Sequence, residues 1–287
     1  MVVVKDKISP FFYVKKEQPV SYLFSIEEAT SLGGFKTQNS YSQELNIELL
    51  SKFKHGSGFV FDCKITNQQY DLDEQLKKQE KLIEQLSTIS NELILGVDQR
   101  GVISKLNNYD EVKDKWKNLK DKLKNRHQGV LAYGYIDAID EKIENKQRLV
   151  DDIRQYRLLG FLFNGMLKAP FQENQTLSRE KIINNVIHCL PITVNEHVYL
   201  MEDNENIGEL TYGIQGKLEP LSHKIQDRID KYFKYYGLGR NRIVLSQYNG
   251  YYKLDKFTAW VNEALLTLTL TNKRGYERKM KFNLKLK

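Results

Sequence analysis

The end of the chain consists of two runs of alternating side chains joined by a short turn. Polar and apolar residues alternate through TLTLT (267–271) and FNLKL (282–286), and the segment NKRG (272–275) between them has turn composition. An alternation of period two gives each strand one apolar face and one polar face. The pattern therefore predicts an antiparallel pair with one face buried and the other in water.

A similar pattern occurs near the start of the chain. Leu45, Ile47 and Leu49 alternate in one run, and Phe59, Phe61 and Cys63 alternate in the next. The segment KHGSG at 54–58 has the glycine content of a turn. We therefore expect a second antiparallel pair in this part of the chain.

The middle of the chain has helical periodicity instead. Apolar residues at spacings of three and four predict three helices: one over 71–91, one that starts after Asn108, and one over Leu131–Leu167. Asn108 is placed to cap the second helix. Between the first and second helices, a hairpin is predicted to turn at 98–101. After Pro170 the strand pattern returns, interrupted by one helix from Glu219 to Tyr236. Ser222 is placed to cap the start of that helix, and Gly237 its end.

These patterns predict an α+β protein, with mainly antiparallel sheet pieces at both ends of the chain around a helical middle segment. We place an N-terminal α+β region at residues 1–170 and a C-terminal, mainly antiparallel region with one helix at 171–287. A chain of 287 residues is long enough for one large domain or two ordinary ones.

Charge is distributed unevenly along the chain. Residues 221–287 hold fifteen basic and five acidic side chains, a net charge of +10, whereas the chain as a whole carries +7. A localised positive field attracts nucleic acid, anionic lipid or an acidic protein, and does not by itself choose among them. No run of apolar residues reaches the length of a membrane span. Without a secretory leader in the sequence as given, we expect a cytoplasmic protein.

The segment KYFKYYGLGRNRIVLSQYNGYYKLD (231–255) combines tyrosines with basic residues. It predicts a helix end followed by a hairpin turning at Asn249–Gly250. We interpret it secondarily as a contact surface, since tyrosine and arginine often anchor interfaces. The candidate partner-binding residues are Arg240, Arg242, Tyr248, Tyr251, Tyr252, Lys273, Arg274 and Arg278. Nucleic acid is the weaker candidate, because alternation along strands scatters these side chains over two faces.

The most apolar segment is RLLGFLFNGMLKAPF (157–171), at the end of the predicted long helix. Its apolar residues cover all sides of a helix, which indicates a core position or a lined pocket. Leu159, Phe161, Phe163 and Met166 are the candidates for lining a pocket that holds an apolar ligand.

The sequence contains no recognisable catalytic or cofactor motif. His188, Cys189, Glu196 and His197 come nearest to a metal-binding set. Neighbouring residues of a strand face opposite sides, so we predict ordinary sheet residues and no metal. We predict no cofactor and favour a non-enzymatic role.

We therefore expect a bacterial binding protein, such as an adaptor, an immunity protein or an assembly component, that acts by protein–protein interaction. Its basic, tyrosine-rich C-terminal region would contact an acidic protein partner. The alternative is a carrier of an apolar ligand held between a curved sheet and the Leu158–Leu167 helix. A nucleic-acid-binding protein and an unrecognised hydrolase rank below both, and the sequence does not indicate an oligomeric state.

Overall fold

A computed structural model describes residues 19–52, 58–155, 157–166, 175–187, 190–239 and 242–287, apart from the side chains of Lys78 and Leu131. These residues form two compact units. The helical unit comprises residues 19–25, 39–164 and 287, and the sheet unit comprises residues 26–38 and 165–286. The boundary that we predict at residue 170 lies outside the described residues and stays a prediction.

The described residues contain strands at both ends of the chain and helices mostly in its middle. The strands are β1 (Val20–Leu32), β2 (Phe35–Lys52), β3 (Gly58–Asp71), β4 (Glu92–Asp98), β5 (Ile103–Leu106), β6 (Thr176–Ile187), β7 (Leu190–Asn204), β8 (Glu209–Leu218), β9 (Val244–Asp255), β10 (Val261–Thr271) and β11 (Tyr276–Leu286). The helices are α1 (Lys77–Ser87), α2 (Tyr109–Arg126), α3 (Val130–Ile143), α4 (Lys146–Ile153), α5 (Leu158–Leu162) and α6 (His223–Tyr235), with a 3₁₀ turn at Thr88–Ser90.

Hydrogen bonding orders the strands β5-β4-β3-β2-β1-β11-β10-β9-β8-β7-β6. Strands β1 and β2 run through both units. The coarse prediction, an antiparallel sheet with helices in the middle of the chain, is confirmed. The two predicted pairs also form: β2 pairs with β3, with Ile47 opposite Cys63, and β10 pairs with β11, with Leu268 opposite Met280. The predicted turn at 54–58 lies almost entirely outside the described residues.

The predicted helix over Leu131–Leu167 is wrong as a single element. The described residues form three helices instead, and Asn145 begins the second of them by accepting a hydrogen bond from the Arg148 backbone N–H at 3.0 Å. Because the Asn145 cap starts a new helix, the apolar spacing that predicted one long helix is divided between separate helices. Similarly, Asn108 precedes α2 without capping it, because its amide bonds the backbone of Ile94 and Glu92 instead.

Helices α2 and α3 pack together in the helical unit. Trp116 of α2 is buried and donates its indole N–H to Asp140 of α3 at 2.7 Å, while Lys120 forms an ion pair with the same carboxylate. Two further ion pairs, Lys113–Glu144 and Lys124–Asp137, join the same helices. The polar sides of the helices thus fix the pairing that the buried tryptophan stabilises.

Helix α6 of the sheet unit begins and ends as the sequence predicts. The Ser222 hydroxyl accepts a hydrogen bond from the Ile225 backbone N–H, and Gly237 follows the helix with a φ of +73°. The apolar face of α6 is buried: the Phe233 ring lies 5.1 Å from the ring of Tyr276 at the start of β11. The helix therefore packs on a sheet strand, whereas Lys234, Tyr235 and Tyr236 at its end are exposed.

Candidate partner-binding surface

Seven of the eight candidate partner-binding residues are described, and they occupy exposed, half-buried and buried positions. Arg242, Lys273 and Arg274 are exposed. Arg278 is half-buried and forms an ion pair with Glu28 at 2.9 Å. Arg240 lies outside the described residues, and the three tyrosines belong to strand β9.

Two of these tyrosines are buried, which removes them from the proposed surface. Tyr252 has no exposed area and Tyr248 has 5%. The predicted hairpin turn at Asn249–Gly250 is wrong, since β9 continues through it to Asp255 with β8 on one side and β10 on the other. Residues of the same parity on a central strand share its buried face, which is where Tyr248 and Tyr252 lie.

Tyr251 lies on the opposite, half-exposed face of the same strand. Its hydroxyl donates to Glu263 at 2.9 Å, and the amine of Lys253 is 5.9 Å from its ring centre. Partial burial raises the pKa of the Tyr251 hydroxyl, and the bond to Glu263 adds to that effect. Tyr251 is therefore held by its neighbours on the sheet.

A buried ionic cluster lies on the inner face of the sheet unit. Glu196 of β7 is fully buried, and one carboxylate oxygen accepts bonds from Nε and Nη2 of Arg179 at 2.6 and 2.5 Å. The other oxygen accepts the Tyr248 hydroxyl at 2.8 Å. Arg179 and Glu196 face each other directly across β6 and β7. Each carboxylate oxygen of this buried side chain therefore has a hydrogen-bond donor.

Lys181 lies two residues from Arg179 along β6 and is affected by the same surroundings. Burial of its amine, aided by the positive charge of Arg179, lowers the pKa of Lys181 to about 7, while Glu196 acts in the opposite direction. Near neutral pH this lysine therefore changes its protonation state in the folded protein.

We expect the free energy of unfolding to rise between pH 7 and about 8.5 because of Lys181. Its pKa is about 10.4 in the unfolded chain, so the unfolded state binds more protons over this range and the slope approaches about 1.4 kcal/mol per pH unit. Above about 8.5 the buried Cys63 thiol opposes the rise, since burial raises the pKa of that thiol.

Urea denaturation at several pH values measures this effect. The variant Lys181→Met should lose the rise between pH 7 and about 8.5 and keep the opposing effect of Cys63 above it. Equal slopes in the variant and the wild-type protein would contradict the assignment to Lys181.

Exposed basic and aromatic side chains come together at one end of the sheet unit. We call this surface the basic end, and define it by the three segments 33–36, 234–239 and 272–275 together with Arg242. These residues include five basic side chains and no acidic one. All five are exposed and none of them forms an ion pair within the described part of the chain; they are Lys36, Lys234, Arg242, Lys273 and Arg274.

Backbone contacts hold the three segments of the basic end together. The Gly33 N–H donates to the Gly275 carbonyl at 3.0 Å. A Cβ on Gly33 would lie 3.3 Å from the Tyr236 carbonyl oxygen, and one on Gly275 would lie 3.0 Å from the Leu238 side chain. Both glycines have positive φ angles, of +56° and +109°, which these turns require.

The turn between β10 and β11 is also internally fixed. The Asn272 side chain accepts the backbone N–H groups of Arg274 and Tyr276 at 2.9 Å each. This Asx-type turn orders the backbone that carries the two exposed charges, Lys273 and Arg274.

Two aromatic side chains of the basic end are strongly exposed. Tyr235 is 82% exposed and Phe35 is 63% exposed. Tyr235 also contacts Tyr236 edge to face, with ring centres 5.1 Å apart. Phe35 and Lys36 are not among the residues predicted from the sequence, although the turn composition of GGFK (33–36) marks a possible surface turn.

The candidate pocket residues lie in packed surroundings. Leu159, Phe161, Phe163 and Met166 are all buried. In the helical unit the Phe161 ring lies 6.1 Å from that of Phe24, and the Phe163 ring 5.3 Å from that of Phe61. In the sheet unit the Met166 sulfur lies 3.7 Å from Nη2 of Arg179.

A cleft of about 280 Å³ occurs elsewhere in the helical unit, between the 3₁₀ turn and α2. It is lined by Thr88, Ile89, Lys115, Asn118, Leu119 and Lys122.

Comparisons with known proteins add no family to this description. No protein-family model matches the chain, and a search of curated proteins finds no match. Among the described residues, no group of three or more His, Cys, Asp or Glu side chains is arranged to hold a metal ion, and His188 and Cys189 lie outside them. None of the described helices has both the length and the apolar character needed to cross a bilayer.

Proposed function

We propose that the protein is a non-catalytic binding protein that docks an acidic protein partner on its basic end. The observation that carries this proposal is the convergence, on the basic end, of five exposed basic residues and exposed aromatic rings with no acidic residue. Unpaired basic groups beside exposed aromatic side chains have the composition of an interface anchor.

A protein partner fits this surface better than nucleic acid does. Proteins that bind single strands use a positive groove along which successive bases stack. The basic end is instead a cluster of turns and a helix terminus held by the contacts of Gly33 and Gly275. A compact cluster of this kind suits a localised acidic patch.

The charge-reversal variant Lys273→Glu/Arg274→Glu should weaken partner binding at least about tenfold, or about 1.4 kcal/mol. The reason is that like charges placed against an acidic partner repel it. Affinity purification from the protein's own host, after nuclease treatment and with the eluate identified by mass spectrometry, measures the loss.

A matched control has the same change in net charge at a different place. Arg126 and Arg148 of the helical unit are exposed and form no ion pair in the described part of the chain. The variant Arg126→Glu/Arg148→Glu should retain the partner. Retention of the same partner by both variants would refute the proposal, and a partner that co-elutes only when the nuclease treatment is omitted would replace protein by nucleic acid as the ligand.

A further inference from the structure

The opposite end of the sheet unit carries a second exposed surface of different character. We call it the tip, and define it as residues 202–208, which join β7 to β8, and residues 255–260, which join β9 to β10. Phe257 is 71% exposed and Ile207 is 66% exposed. Large apolar side chains grouped on a surface commonly mark interaction sites.

Hydrogen bonds order the backbone of the tip and join its two segments. The Asp255 carboxylate accepts hydrogen bonds from the backbone N–H groups of Phe257 and Thr258 and from the Thr258 hydroxyl, at 3.0, 2.6 and 2.8 Å. The Lys256 N–H donates to the Gly208 carbonyl at 2.7 Å, which ties the two segments together.

Side-chain contacts between the same two segments fix the exposed ring. Lys256 forms an ion pair with Asp203 at 2.7 Å. A Cβ on Gly208 would lie 2.6 Å from the Phe257 ring, so the ring rests directly on this glycine. The Phe257 ring therefore packs on the other segment of the tip while most of its surface stays exposed.

The tip is acidic as well as apolar. Its two segments contain four acidic residues (Glu202, Asp203, Glu205 and Asp255) and one basic residue, Lys256. This charge opposes attachment to an anionic membrane and favours a basic protein surface. The chain itself carries such a surface, since the described residues of the basic end include five basic side chains, no acidic one and exposed rings of their own.

We propose that the tip of one copy of the chain docks on the basic end of a second copy. The inference rests on the proposed function, because it assigns the occupant of the basic end. Strand β10 leads from the tip at Val261 to the basic end at Thr271, so the two surfaces lie at opposite ends of one strand about 30 Å long. Docking of unlike surfaces is head to tail, and it produces rings or open chains.

Sedimentation velocity of the full chain at low and high ionic strength tests this assembly. The wild-type protein should form species larger than the 33.7 kDa monomer at low ionic strength, and salt should dissociate them. The tip variant Ile207→Ser/Phe257→Ser and the basic-end variant Lys273→Glu/Arg274→Glu should each remain monomeric when alone.

Mixing the two variants is the decisive step. The tip variant keeps an intact basic end and the basic-end variant keeps an intact tip, so an equal mixture should give a species of twice the monomer mass that does not grow. Circular dichroism spectra matching those of the wild-type protein establish that both variants are folded. A mixture that stays monomeric, or a wild-type protein that is monomeric at every concentration, overturns the inference.

The same samples separate failure of this inference from failure of the proposed function. A monomeric wild-type protein that still retains a host partner through Lys273 and Arg274 rejects self-assembly and leaves the proposed function standing. If neither another copy nor a host partner binds through those two residues, both proposals fail.

Discussion

Replacement of Glu196 by alanine is expected to lower the free energy of unfolding by about 3–5 kcal/mol. The carboxylate is fully buried and holds both Arg179 and Tyr248. Its removal leaves the Arg179 guanidinium largely out of water without its opposite charge and leaves the Tyr248 hydroxyl without that acceptor. Urea denaturation at a fixed pH measures the loss.

Glu180 provides the matched control, because it is the next residue after Arg179 on β6 and is exposed. Glu180→Ala should change the free energy of unfolding by less than about 0.5 kcal/mol. The double variant Arg179→Met/Glu196→Leu should be more stable than Glu196→Ala, since it removes both members of the buried ion pair together. Equal costs for Glu180→Ala and Glu196→Ala would show that the cluster contributes nothing to stability.

The sequence contained part of the information that locates this cluster. Glu196 falls in step with Ile192, Val194 and Val198, so alternation alone places it on the buried face of β7. Its partner could not be predicted, because the facing position of Arg179 depends on the register of β6 against β7. That register is set by long-range pairing, which local patterns do not contain.

The failed prediction at Asn249–Gly250 has a similar physical cause. Asn-Gly is a strong signal for a hairpin turn, yet Gly250 pairs with Ile214 on one side and with Leu266 on the other. A Cβ at this position would lie 2.1 Å from the Leu265 carbonyl oxygen. The glycine therefore permits a close approach of two strands, and pairing on both sides overrides the local turn preference.

The ends of α6 were predictable because their signals are local. Ser222 caps the helix and Gly237 follows it, as the sequence indicates. The basic end was only partly predictable: Lys273 and Arg274 lie in a turn that composition identifies, whereas Phe35 reaches the same surface through the Gly33–Gly275 contact. Segments about 240 residues apart in sequence meet there, which composition alone does not reveal.

Replacement of Phe161 by alanine is the second change with a large expected effect. We expect a loss of about 3–5 kcal/mol in the free energy of unfolding, from lost burial and from the cavity left beside Phe24. The cavity should close poorly, because a Cβ on the neighbouring Gly160 would lie 1.9 Å from the Gln155 carbonyl oxygen. The α5 backbone is therefore packed tightly against the preceding turn.

The same variant separates a packed core from a pocket for an apolar ligand. Tyr135 of α3, which is 50% exposed, supplies the control: Tyr135→Ala should change the free energy of unfolding by less than about 0.5 kcal/mol. If Phe161 is a core residue, urea denaturation will show the large loss, and solvent extraction of wild-type protein will yield no stoichiometric lipid. Two results together would favour the carrier over the packed core. Phe161→Ala would lose no more stability than Tyr135→Ala, and the wild-type protein would yield an apolar molecule that Phe161→Ala no longer retains.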